Sequence, residues 1–270
     1  MSRALAEQPH ATTDSLAQAL GTLDDAALVA TLEAALEVRR SGPLIKAPRD
    51  RLVREIALTR ELDDVVQKHL NIAGAKCYRG RHPKHWLWRS HKQWILDRVA
   101  AGQRVLDVGC GASAYLGWMA EKGCLVTACD MNPVRIEQAR SIMSHENLRF
   151  EVRDVTREAP STRHDVVICS HVIEHLDEPV GLLRALGRCA PRLLVAVPPV
   201  DSRWQKVMYR DLGLRWKDDE DHRREYTPES LREEVTRAGW AIDELHAGID
   251  IKASAHWVGD AGAGPATGDA

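Results

Sequence analysis

From residue 104 onward, apolar segments of strand length alternate with segments of helical spacing, and this alternation constrains the fold most. The strand-like segments are residues 104–108, 124–129, 148–152, 165–169 and 192–197, and the helical segments between them are 113–122, 132–144 and 178–189. A helix over 227–239 and two further strands, 240–247 and 251–259, complete the pattern. Strands separated by helices run parallel, and the helices then cover both faces of the sheet. The sequence therefore predicts an α/β fold.

The residues before the first strand are mainly of helical character. Leucine and alanine recur at helical spacing over 14–40, with a break at Gly21, and again over 48–70. A chain of 270 residues can hold one large domain and an accessory segment. We predict a helical N-terminal extension over 1–75, a second domain over 76–260 that begins with an irregular stretch and a helix over 91–102, and a disordered tail over 261–270.

The composition is that of an ordinary globular protein, with 44% hydrophobic and 28% charged residues. The net charge of −2 at pH 7 gives no overall field that would attract nucleic acid. We recognise neither a signal peptide nor an apolar run long enough to cross a bilayer, so we expect a cytoplasmic protein with no membrane partner. Six cysteines lack CxxC spacing and are predicted to be buried reduced thiols: Cys77, Cys110, Cys124, Cys129, Cys169 and Cys189.

The first strand ends in the sequence DVGCGAS, in which Asp107 is followed by Gly109 and Gly111. Ligands of open α/β sheets bind beyond the carboxyl ends of the strands, so this turn is a candidate binding site. The pattern Gly-x-Gly-x-x-Ala also satisfies the dinucleotide fingerprint, but a lone match is weak evidence. An acid at position 107 would repel a pyrophosphate, and no second βαβαβ half follows the fifth strand. A cationic ligand suits the turn better.

Five segments of the chain resemble the class I S-adenosylmethionine-dependent methyltransferases, and the resemblance spans about residues 80–258. They are the first turn (107–111), Asp130 at the end of the second strand, Asp154 after the third, SHVIEHLDEP (170–179) after the fourth, and DHRREYTPESLREEVTRAGW (221–240). The resemblance implies a seven-stranded, mostly parallel sheet with an antiparallel last strand, and S-adenosylmethionine as the cofactor. Ser113 replaces the usual third glycine, and we expect it to cap the following helix.

The resemblance also implies which residues hold the cofactor. The acid matching Asp130 binds both ribose hydroxyls, the acid matching Asp154 accepts from the adenine amino group, and the residues after the fourth strand line the sulfonium pocket. The complete implied set is Asp107, Gly109, Cys110, Gly111, Asp130, Met131, Asp154, Val155, Ser170 and His171. Because none of the expected acids or first-turn glycines is missing, a non-catalytic protein of the same fold is the less favoured alternative.

The HVIEH sequence has three interpretations. The glutamate and second histidine could only support the start of a helix, or His171 or His175, with Glu174, could serve as a general base for a hydroxyl acceptor. Alternatively, His171, Glu174 and His175 could share a helical face and bind a metal ion with His222. That pattern, with the DHRREYT segment, is similar to the metal-dependent RNA 3′-terminal 2′-O-methyltransferases. Those enzymes have a carboxylate in place of His171, and the chain lacks their strongly basic surface.

Two segments rich in aromatic residues flank the core and are predicted to determine the acceptor. The first, 77–94, resembles the lid of related enzymes, and the second, 199–225, is an acceptor-side insertion. We predict substrate contacts from Tyr78, Arg79, His82, His85, Trp88, Arg89, Trp204, Tyr209, Trp216 and His222, whereas Trp94 is expected to pack against the sheet. Aromatic rings with interspersed donors suit a small molecule, a sugar or a glycan that is methylated on a hydroxyl or amine. The N-terminal helices are candidates for a homodimer interface.

Overall fold

The computed structural model describes residues 22, 24–41, 44, 46–78, 84–158, 162–200, 204–217, 219 and 221–259. The contacts of the chain divide it into two units between Ala73 and Gly74, and each unit is described by itself. The helix predicted before Gly21 and the predicted tail over 261–270 lie outside the described residues. No described helix combines the length and the apolar character that crossing a membrane would require.

The first unit contains α1 (Asp25–Ser41) and most of α2 (Arg49–Cys77). The carboxylate of Asp24 accepts a hydrogen bond of 2.8 Å from the backbone N–H of Ala27, so it caps the start of α1. Arg39 and Glu55 form a two-pronged ion pair between the two helices. Helix α2 continues to Cys77, beyond the predicted end at residue 70, although Gly74 lies within this last part.

The second unit is built on the predicted seven-stranded sheet. Its strands are β1 (Arg104–Val108), β2 (Leu125–Asp130), β3 (Leu148–Val152), β4 (Val166–Ser170), β5 (Arg192–Val197), β6 (Trp240–His246) and β7 (Ile251–Trp257). Their order is β3-β2-β1-β4-β5-β7-β6, and only β7 runs antiparallel to its neighbours. The predicted fold class is therefore confirmed. The strand order reverses at β1 and β4, which lie side by side, and such a reversal opens a crevice at the carboxyl ends of the strands.

Helices cover both faces of this sheet. They are α3 (Lys84–Leu96), α4 (Tyr115–Glu121), α5 (Pro133–Ile142), α6 (Pro179–Cys189), α7 (Trp204–Asp211) and α8 (Pro228–Arg237). Helix α3 replaces part of the predicted irregular stretch, and it ends at Leu96 rather than at residue 102. Ser113 does not cap α4, since Ala114 occupies the cap position and makes no side-chain bond. Helix α8 begins with a capping box that Thr227 and Ser230 form.

Two apolar clusters pack the sheet against its helices. One cluster lies between β1, β4, β5 and β7 and the helices α6 and α8, and the other lies between β1, β2 and β4 and the helices α3, α4 and α5. Trp94 lies in the second cluster, as predicted. All six cysteines are reduced thiols, but Cys77 is exposed at the end of α2, so its predicted burial is wrong. This packing fixes α3 close to the carboxyl ends of β1 and β4.

Candidate active site

A cavity of about 320 Å³ opens at the carboxyl ends of β1 and β4. Its walls come from α3, from the turn after β1, from the beginning of α5 and from the turn after β4. The lining residues are His91, Lys92, Gly109, Cys110, Gly111, Ser113, Tyr115, Arg135, Ser170 and His171. This volume falls within the range of about 300–1,000 Å³ that is typical of small-molecule sites.

Glycine is required in the turn after β1 for two different reasons. Gly109 and Gly111 have φ angles of +67° and +51°, a region that L-residues with side chains rarely adopt. A Cβ atom on Gly109 would also lie 2.5 Å from Cγ2 of Val172, whereas one on Gly111 would meet no atom within 4 Å. Gly109 therefore permits close contact with the turn after β4, and Gly111 provides only the backbone conformation.

Asp130 is buried at the end of β2, and its carboxylate organises the turn after β1. Its Oδ2 accepts a hydrogen bond of 3.1 Å from the Gly111 N–H, and its Oδ1 accepts one of 2.9 Å from the Asn132 N–H. Asn132, rather than Asp130, caps α5 by accepting from the Val134 N–H. Each carboxylate oxygen can accept a further hydrogen bond, so a ligand with two hydroxyl groups can bind here.

Asp107 has a more internal position than the sequence predicted. It is fully buried, and both of its carboxylate oxygens accept from the hydroxyl of Tyr115, at 3.0 and 2.9 Å. Burial raises the pKa of Asp107 to about 8; the Tyr115 hydroxyl opposes this shift, and the nearby charge of Asp130 adds to it. Tyr115 lines the cavity and Asp107 does not. The expected direct contact between Asp107 and a cationic ligand is therefore not supported by this geometry, because Asp107 reaches the cavity only through the Tyr115 hydroxyl.

Asp130 and the other residues predicted to hold a cofactor after β2 and β3 lie outside this cavity lining. Asp154 closes a local turn, because its Oδ1 accepts from both the N–H and the hydroxyl of Thr156, and the side-chain bond lowers its pKa. Val155 is buried and Met131 is 69% exposed. The sequence thus identified strand ends correctly, while only part of the predicted set surrounds the cavity.

The turn after β4 contains a residue in an unusual conformation. His171 has a φ of +55°, and the next residues form a short 3-10 turn, Ile173–His175, rather than the predicted shared helical face. The Nδ1 atom of His171 lies 3.3 Å from Oε1 of Glu174, and its Nε2 lies 3.3 Å from Oδ1 of Asp250. Burial opposes the charged imidazole, but the two carboxylates outweigh burial and raise the pKa of His171 to about 9. A protonated imidazole cannot accept a proton, so this geometry argues against His171 as the general base.

Two groups of potential metal ligands adjoin this turn. In the outer cluster, defined as Glu174, His175 and His222, one ligand atom from each side chain lies within 4.8 Å of the others. The imidazole rings of the outer cluster are 4.8 Å apart at their centres. The backbone N–H of Arg223 donates to the Glu174 carbonyl at 2.7 Å, which holds the outer cluster together. The predicted four-residue site is thus divided, because His171 does not belong to it.

The inner cluster, defined as His91, His171 and Asp250, also has its ligand atoms within 4.8 Å of one another. His91 is on α3, and Asp250 immediately precedes β7. The Nε2 atom of His91 lies 3.1 Å from the Ser170 hydroxyl, and its Nδ1 lies 3.3 Å from Oδ2 of Asp250. Sequence reasoning missed His91 and Asp250, because neither belongs to a recognisable motif and their only signal is burial in the folded chain.

None of the predicted acceptor residues whose side chains the structure describes lines the cavity. Tyr78 and Trp204 are exposed, Tyr209 and Trp216 are half-buried, and His222 is buried in the outer cluster. Arg79 and His82 lie outside the described residues, and His85, Trp88 and Arg89 are placed on α3 by their backbone alone. The acceptor contacts remain predictions.

Comparisons with known proteins agree with this architecture. Residues 79–245 match the family model described as "Methyltransferase domain". The chain is 32% identical over 108 residues to the ubiquinone biosynthesis O-methyltransferase of Stutzerimonas stutzeri, a match that covers 38% of this chain and 47% of the relative. It is 25% identical over 176 residues to the enzyme of the same name from Aeromonas salmonicida, covering 60% of this chain and 74% of the relative.

A solved structure shares the fold. Magnesium protoporphyrin IX methyltransferase from Synechocystis PCC 6803, crystallised with bound SAH, superposes with a TM-score of 0.53 at 17% identity, covering 72% of this chain and 99% of that chain. The chain spans about half the length of the first curated relatives that it matches. Because the family model covers more than half of the chain, the chain belongs to the methyltransferase-domain family.

Proposed function

We propose that this methyltransferase transfers the methyl group of S-adenosylmethionine to a hydroxyl group of a small polar molecule, with an amine as the near variant. The observation that carries the proposal is the placement of Asp130. Its carboxylate is fixed by the Gly111 and Asn132 N–H groups at the carboxyl end of β2, next to the cavity lined by the glycine turn. A nucleoside needs such an acceptor pair for its two ribose hydroxyls.

The charges around the cavity support a zwitterionic methionine group as a ligand. Lys92 and Arg135 line the cavity and supply positive charge for a carboxylate. Tyr115 lines the same cavity, and its hydroxyl is hydrogen-bonded to the buried carboxyl group of Asp107. When bound, the cofactor supplies an electrophilic methyl group, and the chain provides alignment and exclusion of water.

For the acceptor, the curated relatives named above support a hydroxyl group, since their printed names describe O-methyltransferases in ubiquinone biosynthesis. Removal of the hydroxyl proton during transfer calls for a base. We assign this role to His175, whose side chain is exposed while both nitrogens of His171 face carboxylates. The aromatic residues of 199–225 then serve as the proposed acceptor wall.

A direct test combines cofactor binding with methyl transfer by the full chain. We expect S-adenosylmethionine to bind with 1:1 stoichiometry in calorimetry, and labelled methyl to pass to members of a panel of phenolic and sugar hydroxyl acceptors. Asp130→Ala should weaken binding strongly. Asp165→Asn is a matched control, because Asp165 accepts from the Arg104 N–H at the opposite end of the sheet. Absence of binding, or equal loss in both variants, would refute the proposal.

A second candidate is metal-dependent methylation of an RNA 3′ end, and the outer cluster favours it. Glu174 is fully buried; its Oε1 faces Nδ1 of His171 at 3.3 Å, and its Oε2 has no hydrogen-bond partner among the described residues. A metal ion held with His175 and His222 would bind that carboxylate. Methyl transfer to an RNA with free terminal hydroxyls, abolished by EDTA and restored by a divalent metal, would favour this candidate over the small-molecule activity.

A further inference from the structure

We propose that the inner cluster is a binding site for a divalent transition-metal ion of the zinc type, distinct from the outer cluster. Two imidazoles and one carboxylate converge there from three separate parts of the chain: α3, the turn after β4 and the residue before β7. All three residues belong to the second unit, and their ligand atoms lie within 4.8 Å of one another. Imidazole nitrogen with one carboxylate is a donor set that suits zinc, iron, cobalt and nickel.

The ligand atoms of the inner cluster are close enough for one ion to bind between them. Nδ1 of His91 lies 3.3 Å from Oδ2 of Asp250, and Nε2 of His171 lies 3.3 Å from Oδ1 of the same carboxylate. Two ligand atoms at about 2.0 Å from a tetrahedral zinc ion are roughly 3.3 Å apart. Because the imidazoles face different oxygens, coordination of one ion requires the carboxylate to bind through both oxygens or to rotate.

The second ring nitrogens of His91 and His171 also have the kind of partner that is typical of metal-bound histidines. A coordinating histidine usually directs its second ring nitrogen towards a carboxylate, a carbonyl or another oxygen, which orients the ring. Here Nε2 of His91 faces the Ser170 hydroxyl at 3.1 Å, and Nδ1 of His171 faces Oε1 of Glu174 at 3.3 Å. One nitrogen of each imidazole therefore has an oxygen partner that orients the ring, and the other nitrogen faces Asp250.

Two residues of the inner cluster are buried and His171 is half-buried, and this favours a bound ion over a purely electrostatic role. His91 is 4% exposed and Asp250 is 3% exposed. A buried ion pair gains little over apolar packing, because desolvating the charges costs about as much as their attraction returns. Coordination adds bonds to a cation and would join α3 to two strands of the sheet beside the cavity. His91 and His171 line that cavity, so an oxygen ligand can fill a coordination position that the protein leaves open.

Magnesium suits this donor set poorly, because it prefers oxygen ligands and retains its water molecules. The expected selectivity is therefore for Zn²⁺ and Co²⁺ over Mg²⁺. The outer cluster provides the internal comparison, since it offers one carboxylate and two imidazoles with one of them exposed.

The test is metal binding by the full chain after treatment with a chelator. We expect one Zn²⁺ per chain in calorimetry, and a Co²⁺ complex with visible absorption bands of nitrogen and oxygen ligation. His91→Gln and Asp250→Asn should each weaken Zn²⁺ binding by at least tenfold and change the Co²⁺ spectrum. His222→Gln in the outer cluster and His256→Gln at an exposed imidazole on β7 are controls that should leave both unchanged.

Circular dichroism of each metal-free variant shows whether it is folded, and His91→Gln carries the test alone if Asp250→Asn is not. Three results would overturn the proposal: no stoichiometric binding by the wild-type chain, unchanged binding in folded His91→Gln, or loss of binding in His222→Gln without loss in His91→Gln. The last result would assign the ion to the outer cluster. Because cofactor binding is measured separately, a failure of the metal site leaves the proposed methyl transfer intact.

Discussion

The turns after β1 and β4 face the same cavity, but they are built in different ways. The turn after β1 depends on glycine conformations and on one carboxylate, Asp130, that lies 19 residues further along the chain. The turn after β4 depends on side chains brought from far away, since His91 and Ser170 are separated by 79 residues. The two turns touch where Gly109 packs against Val172.

This difference separates cofactor placement from chemistry. In the proposed function, backbone groups and one fixed acid would hold the cofactor, and local sequence is sufficient to encode the glycine conformations of the turn after β1. Imidazoles and carboxylates that act on an acceptor or a metal ion need long-range packing to set their distances. Variants of the first turn should therefore change binding and stability, and variants near the second should change turnover or metal affinity.

The largest effect is expected from His175→Ala. If His175 takes the acceptor proton, its loss should lower kcat by about 10²- to 10³-fold, while the Kd for S-adenosylmethionine stays within a factor of two. Steady-state kinetics and calorimetry measure the two quantities. His246→Ala is a suitable control, because that imidazole is exposed beside Glu244 on β6. An unchanged kcat in His175→Ala would show that His175 is not the general base.

The same contrast explains what the sequence could and could not predict. The strands, the glycine turn and the capping box of Thr227 follow from local patterns, and all of them appear in the structure. The partners of His171 do not, because periodicity says nothing about which distant side chain fills a buried space. Asp250 could not be identified for that reason. The metal-site interpretation of HVIEH required a shared helical face, which does not form, and the left-handed conformation of His171 has no sequence signal.

The contact between the two turns can be broken with Gly109→Ala. The added Cβ meets Val172 and forces a side chain into the left-handed region, so we expect the free energy of unfolding to fall by about 2–3 kcal/mol. Gly111→Ala adds the conformational strain without the clash and should cost about 1–2 kcal/mol. Urea denaturation measures both variants. Adding Val172→Ala to the first variant should recover part of its loss, and equal losses in the two single variants would show that the turns are not coupled.

The buried acid behind the first turn should make stability depend on pH. The folded pKa of Asp107 is raised from 3.8 to about 8, so the folded chain keeps a proton that the unfolded chain releases. That contribution to stability is complete below pH 4 and is lost as the pH rises towards 8. Relative to Asp107→Asn, we expect the wild-type free energy of unfolding to fall by on the order of 1 kcal/mol per pH unit between pH 5 and 7.

Thermal and urea unfolding of the two chains across this pH range provide the measurement. Tyr115→Phe removes the hydroxyl that opposes the shift, so the decline should continue beyond pH 8 in that variant. Parallel pH profiles for the wild type and Asp107→Asn would mean that Asp107 is ionised in the folded chain. Its role behind the cavity would then be electrostatic rather than that of a neutral hydrogen-bonding partner.

The smallest effect separates the charge of Asp130 from its support of the turn. Asp130→Asn keeps an oxygen that can accept from Gly111 but loses the negative charge, so the Kd for S-adenosylmethionine should rise by about tenfold. Asn132→Ala is the matched variant, because it removes the cap of α5 yet retains the backbone N–H that Asp130 accepts from. It should lower the free energy of unfolding by about 1 kcal/mol and leave the Kd unchanged. If both variants weaken binding equally, the negative charge of Asp130 does not contribute to binding. The turn after β1 then holds its ligand by shape alone, unlike the turn after β4, which depends on side-chain chemistry.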